Sequence, residues 1–356
     1  MTIALATNQA EWDNFLVARQ FSPFLQSWTM GEVYAELHQT PVRWIIKDGD
    51  EVRGICMGLI VPARRGRHLS VPYGPVITDP SVLPELLEAI KQTAHEHRCS
   101  FIRLSPHWPV ALEPTLQGVG AKPAPLHLLA EHLWYIPLKE TDPWTTGDKN
   151  IHSAMRSEED LLKHMRSTAR NLIRRAEKDG VTVTASSDPV GDLQYFLTLH
   201  DETRQRHKFT PYSNAFFRAQ VAHFAPRKEC TLYLAHYRNE VISASIHMHA
   251  GGETSYHHGA STFAHRKVPS SYLLQWTAIR DALKRGDGIY NFWGIAPMND
   301  TGEITQKNHP FSGVTLFKTG FGGKLLTLVH CMDIPLSPKY YVTRTIEKVR
   351  KWKRGF

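Results

Sequence analysis

In the first half of the chain, the spacing of apolar residues has the two-residue period of strands in some segments and the 3.6-residue period of a helix in another. The predicted elements are two strands joined by a turn, a third strand, an amphipathic helix and a closing strand. In order, they are Val42–Ile46, the turn Asp48–Asp50, Val52–Val61, a strand ending at Tyr73-Gly74-Pro75, the helix Val82–His97 and Ser100–Leu104.

The second half repeats this order. Its elements are Thr231–His236, the turn Arg238–Glu240, Val241–His249, Thr254–Gly259, the helix Ser270–Arg285 and Gly288–Trp293. Gly259 follows Gly74 by 185 residues and Ile289 follows Phe101 by 188 residues, so the offset is nearly constant. A steady offset indicates duplication. Strands followed by a covering helix predict a mixed sheet with helices outside, an α/β fold (α+β with mixed sheets).

A length of 356 residues is long for one hydrophobic core and favours two domains. The polar stretch Lys139–Asn150, with its proline and glycine, predicts the linker between them. We therefore expect a first domain at residues 1–145 and a second at 146–331. A helix predicted at Ser337–Lys353 is expected to pack back on the first domain, which would then be completed by residues 332–356.

The composition indicates in which cellular compartment the protein is found. No apolar run approaches the roughly 20 residues that span a bilayer, and Met1–Trp12 carries no basic residue of a secretory signal. The four cysteines are scattered without zinc or disulfide spacing. These features predict a cytoplasmic protein.

The net charge of +8 favours a polyanionic partner. If Glu158–Asp179 is one helix, its cations form one stripe that is expected to contact a polyanion: Lys163, Arg166, Arg170, Arg174 and Lys178. A second basic cluster lies near the C-terminus, at Arg344, Lys348, Arg350, Lys351, Lys353 and Arg354. The alternative for either cluster is a solvated helix face.

The repeated unit resembles the GNAT acyltransferase fold, whose members hold the pyrophosphate of coenzyme A on a glycine-rich loop at a helix start. The equivalent stretches here, Thr78–Ser81 and Arg266–Ser271, lack glycine and have a proline before the helix. We therefore expect no coenzyme A and no other cofactor, and an aminoacyl-tRNA as the donor.

Several motifs in order along nearly the whole chain resemble the Fem family of peptidoglycan-bridge aminoacyltransferases. They are Phe24–Trp28, Tyr73-Gly74-Pro75, Arg174–Val181, Gly259-Ala260-Ser261, Pro269, Leu273–Trp276, Tyr290–Ile295 and Phe317–Gly323. The resemblance implies two tandem GNAT-like domains, and the absence of a heptad run indicates the short form without a coiled-coil arm. It also implies transfer of an amino acid from aminoacyl-tRNA to an amine of a peptidoglycan precursor, either nucleotide-linked or lipid-linked at the membrane surface. With such a donor, tRNA is the polyanion expected on the stripe of Lys163, Arg166, Arg170, Arg174 and Lys178.

Lys318 is the catalytic candidate that the resemblance implies, because the lysine of the Phe-Lys pair lies near the transferring ester in the family. A fixed cation there stabilises an oxyanion or holds a terminal phosphate. The pattern predicts a strand at Val314–Lys318, which would turn Phe317 to the opposite face as a core or base-stacking residue. A surface lysine at a strand end is the alternative.

Substrate-binding residues are also implied by the resemblance. Tyr256 and His258, at i and i+2, are expected to share a strand face towards the muropeptide, although relatives can have tyrosine at the second position. Further contacts are expected at Tyr73, Thr210 and Tyr212.

Some positions depart from the family pattern. Glu32 and the stretch Thr210–Tyr212 stand where relatives can have basic residues, so the acceptor phosphates are expected to be held differently. One expectation is a lipid-linked precursor at the inner membrane surface, with the basic C-terminal cluster supporting peripheral contact with that surface. His247 and His249 share a strand face, but no third ligand is placed by spacing, and packed, hydrogen-bonded histidines are favoured over a metal site.

Two rival functions share these features. One is a GNAT-like N-acyltransferase that uses another acyl carrier in exopolysaccharide or small-molecule synthesis. The other is a non-catalytic protein that binds RNA or a membrane surface. The sequence leaves open which amino acid is transferred and which group is the general base.

Overall fold

A computed structural model describes residues 1–19, 21, 23–63, 66–146, 153–207, 212–299, 302–306 and 309–354. The chain divides into two compact units. Unit 1 comprises Met1–Glu131 and Thr327–Phe356, and unit 2 comprises His132–Leu326.

Unit 1 contains a mixed sheet and five α-helices among its described residues. The helices are α1 (Gln9–Val17), α2 (Trp28–Glu36), α3 (Leu83–Glu96), α4 (Glu113–Gly118) and α12 (Lys339–Arg354), with short 3-10 turns at Phe24–Gln26, Pro80–Val82 and Val110–Leu112. The strands are β1 (Thr2–Leu5), β2 (Thr40–Asp48), β3 (Glu51–Val61), β4 (His68–Tyr73), β5 (Val76–Ile77), β6 (Phe101–Pro106), β7 (Lys122–Pro123) and β15 (Met332–Pro335).

Unit 2 has the same kind of architecture. Its described helices are α5 (Pro143–Thr146), α6 (Glu158–His164), α7 (Ser167–Lys178), α8 (Pro189–His207), α9 (Asn214–Phe224), α10 (Ser270–Arg285) and α11 (Ser312–Thr319). Its strands are β8 (His132–Pro137), β9 (Thr182–Ala185), β10 (Cys230–Tyr237), β11 (Glu240–Ala250), β12 (Glu253–Ser261), β13 (Ile289–Gly294) and β14 (Lys324–Thr327).

The two sheets repeat one pairing scheme. In unit 1 the order is β1-β2-β3-β4-β6-β15-β7, with β5 added beside β3, and in unit 2 it is β14-β8-β13-β12-β11-β10-β9. In each sheet three successive strands pair antiparallel, and the third pairs in parallel with the strand that follows the covering helix. The duplication predicted from the sequence is therefore present in the strand pairing.

Each sheet is completed by a strand from the other half of the sequence. β8 follows the first copy along the chain but pairs antiparallel with β13, and β15 follows the second copy but pairs antiparallel with β6. This exchange explains why the units change at residues 131/132 and 326/327, whereas the boundaries expected from the sequence were 145/146 and 331/332. A boundary inferred from linker composition does not detect a strand that crosses over.

The covering helices α3 and α10 bury one face each against their own sheets. Leu83, Leu86, Leu87 and Ile90 of α3 join the core of unit 1, and Leu273, Leu274, Ala278 and Ile279 of α10 join the core of unit 2. α10 ends at Gly286, whose φ of 84° closes the helix in the left-handed region that favours glycine. The apolar period accounts for the buried face of both helices, and the glycine accounts for the end of α10.

α12 belongs to unit 1, where a buried ion network holds it. The Arg103 guanidinium on β6 donates to both carboxylate oxygens of Asp333 on β15 at 2.8 and 3.0 Å, and to Glu347 of α12 at 2.7 and 3.0 Å. Tyr340 of the same helix is buried and donates its hydroxyl to Asp333.

Among the described helices, none combines the length and the apolar character that crossing a bilayer requires.

Candidate active site

Two parallel strands of unit 2 separate early. β12 and β13 pair only over Glu253–Ser255 and Ile289–Asn291. Beyond that point the two described strands share no further register, although β12 still pairs with β11 and Gly294 of β13 with Leu133 of β8. Only the edges that β12 and β13 turn towards each other part after Ser255 and Asn291. The predicted motif residues of both strands lie at this end.

A bulge corrects the expected position of His258. Ile246 of β11 faces His258, whereas its neighbour His247 faces Tyr256, so His257 is an extra residue in β12. The extra residue turns Tyr256 to the face covered by α10 and His258 to the opposite face, with Ile246 and Leu232. The prediction that the two side chains share a face is wrong, because simple alternation holds only in an unbulged strand.

Lys318 lies on a helix rather than on a strand. Residues Ser312–Thr319 form α11, which corrects the strand predicted at Val314–Lys318. Thr315 Oγ1 accepts from the backbone amide of Ala296 and thereby ties α11 to the segment after β13. A short apolar run fits either period, and only tertiary packing selected the helix.

The Lys318 side chain is buried at 7% exposure. Its Nζ donates to the carbonyl oxygen of Gly294 at 2.6 Å and lies 5.7 Å from the centre of the Tyr256 ring. Burial lowers the pKa of Lys318 to about 7. Near neutral pH the group is therefore poised between ammonium and amine, as a proton-transferring or oxyanion-stabilising group requires.

A chain of buried hydrogen bonds fixes the carbonyl that Lys318 contacts. Glu253 accepts from Ser255 Oγ and, at 2.9 Å, from Asn291 Nδ2. Asn291 Oδ1 accepts from the amide of Trp293 at 2.7 Å, and Trp293 has a φ of 65°. Gly294 follows directly. Burial raises the pKa of Glu253 to about 7 despite the bonds from Ser255 and Asn291.

Sequence reasoning did not assign roles to Asn291, Gly294 or Glu253. A usable signal existed for Asn291, since it is a polar residue inside the apolar run Tyr290–Trp293. No comparable signal marks Glu253, because its importance arises from strand pairing with β13.

Tyr256 lies beside Lys318 with its ring against other aromatic groups. Its centroid is 5.4 Å from that of His247 and 6.4 Å from that of Phe292. Its hydroxyl lies where a Cβ at Gly259 would be, so glycine is required at this close approach. Burial raises the pKa of Tyr256 to about 12, which keeps the phenol neutral.

Phe317 is half-buried and packs edge-on against Tyr272 at 4.9 Å and Phe321 at 5.4 Å. It lines a surface cleft of about 360 Å³ with the segment that opens α10. It therefore packs with core aromatics on one side while facing a cleft on the other.

His258 is surrounded by an aromatic cluster on the opposite face of the sheet. Its ring lies 4.8 Å from Phe217, 5.5 Å from Tyr212 and 6.2 Å from Phe216. Burial, with a smaller contribution from His257, lowers the pKa of His258 well below its ordinary value. Tyr212 is exposed at 48%, and Thr210 lies outside the described residues. The structure thus brings His258 and Tyr212 together, apart from Tyr256 and Lys318.

Tyr73 in unit 1 is almost fully buried, and its hydroxyl donates to the Ala130 carbonyl at 2.7 Å. Its neighbour Gly74 packs against the side-chain amide of Gln26. Gln26 Nε2 donates to the carbonyls of Met57 and Pro72, and its Oε1 accepts from the Met57 amide. Glu32, the departure noted in the sequence, pairs with Arg43 at 2.6 Å.

The predicted cationic stripe is interrupted. The helix expected over Glu158–Asp179 breaks into α6 and α7 at Met165–Arg166. Arg170 is partly buried, and its Nη1 donates to the carbonyls of Leu162, Lys163 and Met165, so it caps α6. The other four cations are exposed: Lys163, Arg166, Arg174 and Lys178.

The two helix starts that correspond to coenzyme A loops engage their own polar groups. At α10, the amides of Arg266, Val268, Ser270 and Tyr272 all donate to carbonyls of the same segment, and Pro269 has no amide hydrogen. Before α3, the Asp79 carboxylate accepts from the Ser81 amide and places a negative charge there. These amides are engaged locally.

His247 and His249 are held by hydrogen bonds. His247 lies within hydrogen-bond distance of Ser245 and the Tyr290 hydroxyl, and His249 lies between Thr231 and Thr254. Within the part of the chain that the structure describes, no group of three or more metal-ligating side chains occurs.

Two sequence models match separate parts of the chain. The model described as the FemAB family matches residues 7–134, and the model described as an acetyltransferase (GNAT) domain matches residues 163–299. No curated protein matches the chain by sequence. The first match confirms the resemblance indicated by the motifs.

Solved structures similar to this chain share its fold. The crystal structure of FemX is 19% identical and covers 98% of this chain and 100% of its own, with a TM-score of 0.79. The C-terminal domain of a putative lysylphosphatidylglycerol synthetase from Agrobacterium fabrum is 12% identical, covering 96% of both chains, with a TM-score of 0.58.

A tandem GNAT protein from the clavulanic acid biosynthesis pathway is 10% identical and covers 95% of this chain and 99% of its own, with a TM-score of 0.52. At these identities the likenesses establish the fold, which is two tandem GNAT-like domains with mixed sheets.

Proposed function

We propose that this chain, as a member of the Fem family and a GNAT-type acyltransferase, transfers an amino acid from aminoacyl-tRNA to an amine of a peptidoglycan precursor. The family match and the GNAT-domain match support acyl transfer. The finer assignment rests on one observation: Lys318, buried and with a pKa of about 7, lies at the point where β12 and β13 separate.

The proposed reaction is aminolysis of an ester. The lone pair of a neutral acceptor amine attacks the ester carbonyl, so a C–N bond forms and an oxyanion develops. The C–O bond to the ribose then breaks, and the ribose oxygen leaves with the proton that the amine gives up. The reaction needs orientation of both substrates and donors directed at the oxyanion.

Lys318 supplies such a donor in this proposal. An ammonium group has three hydrogens to donate, and Gly294 O takes one. The remaining donors serve the oxyanion of the transferring ester. The neutral Tyr256 phenol beside Lys318 is proposed to orient the acceptor.

The donor is proposed to be an aminoacyl ester rather than a coenzyme A thioester. A pyrophosphate needs unengaged amides at a helix start. Here the amides of Val268, Ser270 and Tyr272 bond local carbonyls at the start of α10, and Asp79 occupies the start of the 3-10 turn that leads into α3. The exposed cations of α6 and α7 are proposed to contact the tRNA backbone instead.

A transfer assay tests the proposal directly. Purified protein is incubated with tRNA charged with each radiolabelled amino acid in turn, and with either a UDP-linked or a lipid-linked muropeptide. We expect label in the muropeptide for at least one amino acid. Label transfer from acetyl-CoA to an acceptor, or tRNA binding without transfer by any charged tRNA, contradicts the proposal and favours a small-molecule N-acyltransferase or a binding protein.

A matched pair of variants links the activity to the site. Lys318→Ala removes the buried ammonium, and Lys284→Ala removes an exposed lysine of α10 in the same unit. Loss of transfer only in Lys318→Ala is the expected result. Equal activity of both variants contradicts the assigned role.

A further inference from the structure

α12 presents an apolar stripe to solvent, although it is packed on unit 1. Exposed fractions are 82% for Trp352, 63% for Val342, 54% for Tyr341 and 47% for Val349. These four residues recur at helical spacing and lie on one side of the helix, with Thr345 between them. The stripe is therefore a continuous face rather than scattered apolar residues.

The opposite face of α12 accounts for its attachment. Tyr340 and Thr343 are buried, and Glu347 accepts two hydrogen bonds from Arg103. Because these three anchors fix the rotation of the helix, the stripe is directed outward by the fold. An apolar stripe that only stabilised the unit would be turned inward.

Basic residues flank this stripe. Seven cations occur in α12 against the single acid Glu347, which is engaged by Arg103: Lys339, Arg344, Lys348, Arg350, Lys351, Lys353 and Arg354. A helix with exposed Trp, Tyr and Val on one side and Lys and Arg beside them is typical of a segment that lies in the interface of an anionic bilayer.

We propose that the outward face of α12 docks unit 1 onto an anionic phospholipid surface. A second copy of the chain is disfavoured because it would bring seven cations against seven. An RNA partner would use the cations but would leave Val342 and Val349 unburied. Docking onto the membrane does not depend on the proposed function. Only one consequence rests on that function: a protein held at this surface would favour the lipid-linked acceptor, which lies at the same surface.

Vesicle co-sedimentation of the full-length protein tests docking without any turnover. Vesicles of phosphatidylcholine with phosphatidylglycerol are compared with phosphatidylcholine alone. We expect binding to the anionic vesicles that weakens as salt is raised, and little binding to the neutral ones. No binding to anionic vesicles, or equal binding to both, overturns the proposal.

Two matched pairs of variants locate the binding face. Val349→Ser/Trp352→Ser should lower the partition coefficient about tenfold or more, whereas Val17→Ser/Phe263→Ser, which alters exposed apolar residues elsewhere, should not.

Lys348→Glu/Lys351→Glu/Lys353→Glu should abolish the preference for anionic vesicles. Lys228→Glu/Lys267→Glu/Lys284→Glu, with the same change in charge, should preserve it.

The α12 variants should keep transfer to a UDP-linked acceptor while losing transfer to a lipid-linked acceptor in vesicles. Unchanged vesicle binding by the α12 variants overturns docking. Loss of tRNA binding by them with vesicle binding intact assigns the helix to RNA and also overturns it. A wild-type protein that binds vesicles but transfers nothing contradicts only the proposed function.

Discussion

The Nζ of Lys318 lies 2.6 Å from the carbonyl oxygen of Gly294, and that carbonyl follows directly on a left-handed residue, Trp293. The amide of Trp293 is in turn held by Asn291. A lysine on a helix and a backbone turn on a strand are thereby fixed to each other in the interior of one unit.

Lys318→Ala should lower kcat about a hundredfold or more, since a buried oxyanion donor contributes on this order. If the ammonium is the active form, kcat of the wild type should fall as pH rises through about 7, where Lys318 loses its proton. Lys318→Arg should lack this fall because a guanidinium stays protonated. Steady-state rates from pH 6 to 9 check both points; an unchanged fall in Lys318→Arg would assign it to another group.

Asn291→Ala should lower kcat on the order of tenfold to a hundredfold with little change in KM, because the turn at Trp293 loses its acceptor and Gly294 O moves relative to Lys318. Ser255→Ala is the control, since it removes one hydrogen bond to Glu253 but leaves both hydrogen bonds of Asn291 in place. The fall of kcat with pH should also shift in Asn291→Ala. Equal kcat values for the two variants would remove Asn291 from the positioning of Lys318.

Arg166→Glu/Arg174→Glu should weaken tRNA binding and reduce the slope of log K against log salt by about 0.7 to 0.9 for each phosphate that the variant no longer neutralises. Arg170 is omitted because it caps α6 and its replacement would disturb the helix. Arg227→Glu/Lys228→Glu reverses two exposed charges elsewhere in unit 2 and should leave the slope unchanged. Filter binding over a salt series provides the measurement, and identical slopes for all proteins would exclude the two arginines from the footprint.

Asp333→Ala should lower the free energy of unfolding by about 3 to 5 kcal/mol, because Arg103 would keep a buried charge with only Glu347 as partner. Glu347→Gln should cost less, about 1 to 2 kcal/mol, since Asp333 still pairs with Arg103 and the amide oxygen still accepts. Urea denaturation compares the two. A smaller loss for Asp333→Ala than for Glu347→Gln would contradict the buried pair as the main anchor of β15.

His330 should stabilise unit 1 in a pH-dependent way. Its hydrogen bond to Glu131 at 2.8 Å raises the pKa of His330 above the ordinary 6.5, so its contribution is complete below 6.5 and is lost as pH rises through the raised pKa. Burial acts to raise the pKa of Glu131, but hydrogen bonds from His330 and the Cys331 amide leave that pKa lowered. The stability that the Glu131 carboxylate contributes is therefore lost only at acid pH, below 4.5.

The free energy lost in His330→Gln should therefore be greatest between pH 4.5 and 6.5, at about 1 to 2 kcal/mol, and should decline at higher pH. His95→Gln, at an exposed position of α3, serves as the control. Denaturation at several pH values measures the difference. A constant loss across the range would show that the ion pair contributes nothing beyond packing.

Local pattern determined the elements that bury a regular face. The helix predicted at Ser270–Arg285 has the same bounds in the structure, and the one predicted at Val82–His97 differs by one residue at each end. Strand alternation and the position of the covering helix also indicated a mixed sheet in each half of the chain, because these features depend on contacts close in sequence. The motifs around Gly294 and Lys318 marked the two parts of the chain between which the buried Lys318–Gly294 hydrogen bond forms.

Tertiary structure alone decided which sheet β8 and β15 complete, since strands with similar periods pair equally well in either sheet until the whole core is assembled. It also decided that Val314–Lys318 is helical and that His257 bulges, which placed Tyr256 beside Lys318 and turned His258 away. Periodicity reports which face a residue takes within an element of known type. Contacts distant in sequence decide the other features: whether a short run forms a helix or a strand, whether a strand contains an extra residue, and how far desolvation lowers the pKa of Lys318. Only the folded chain determines them.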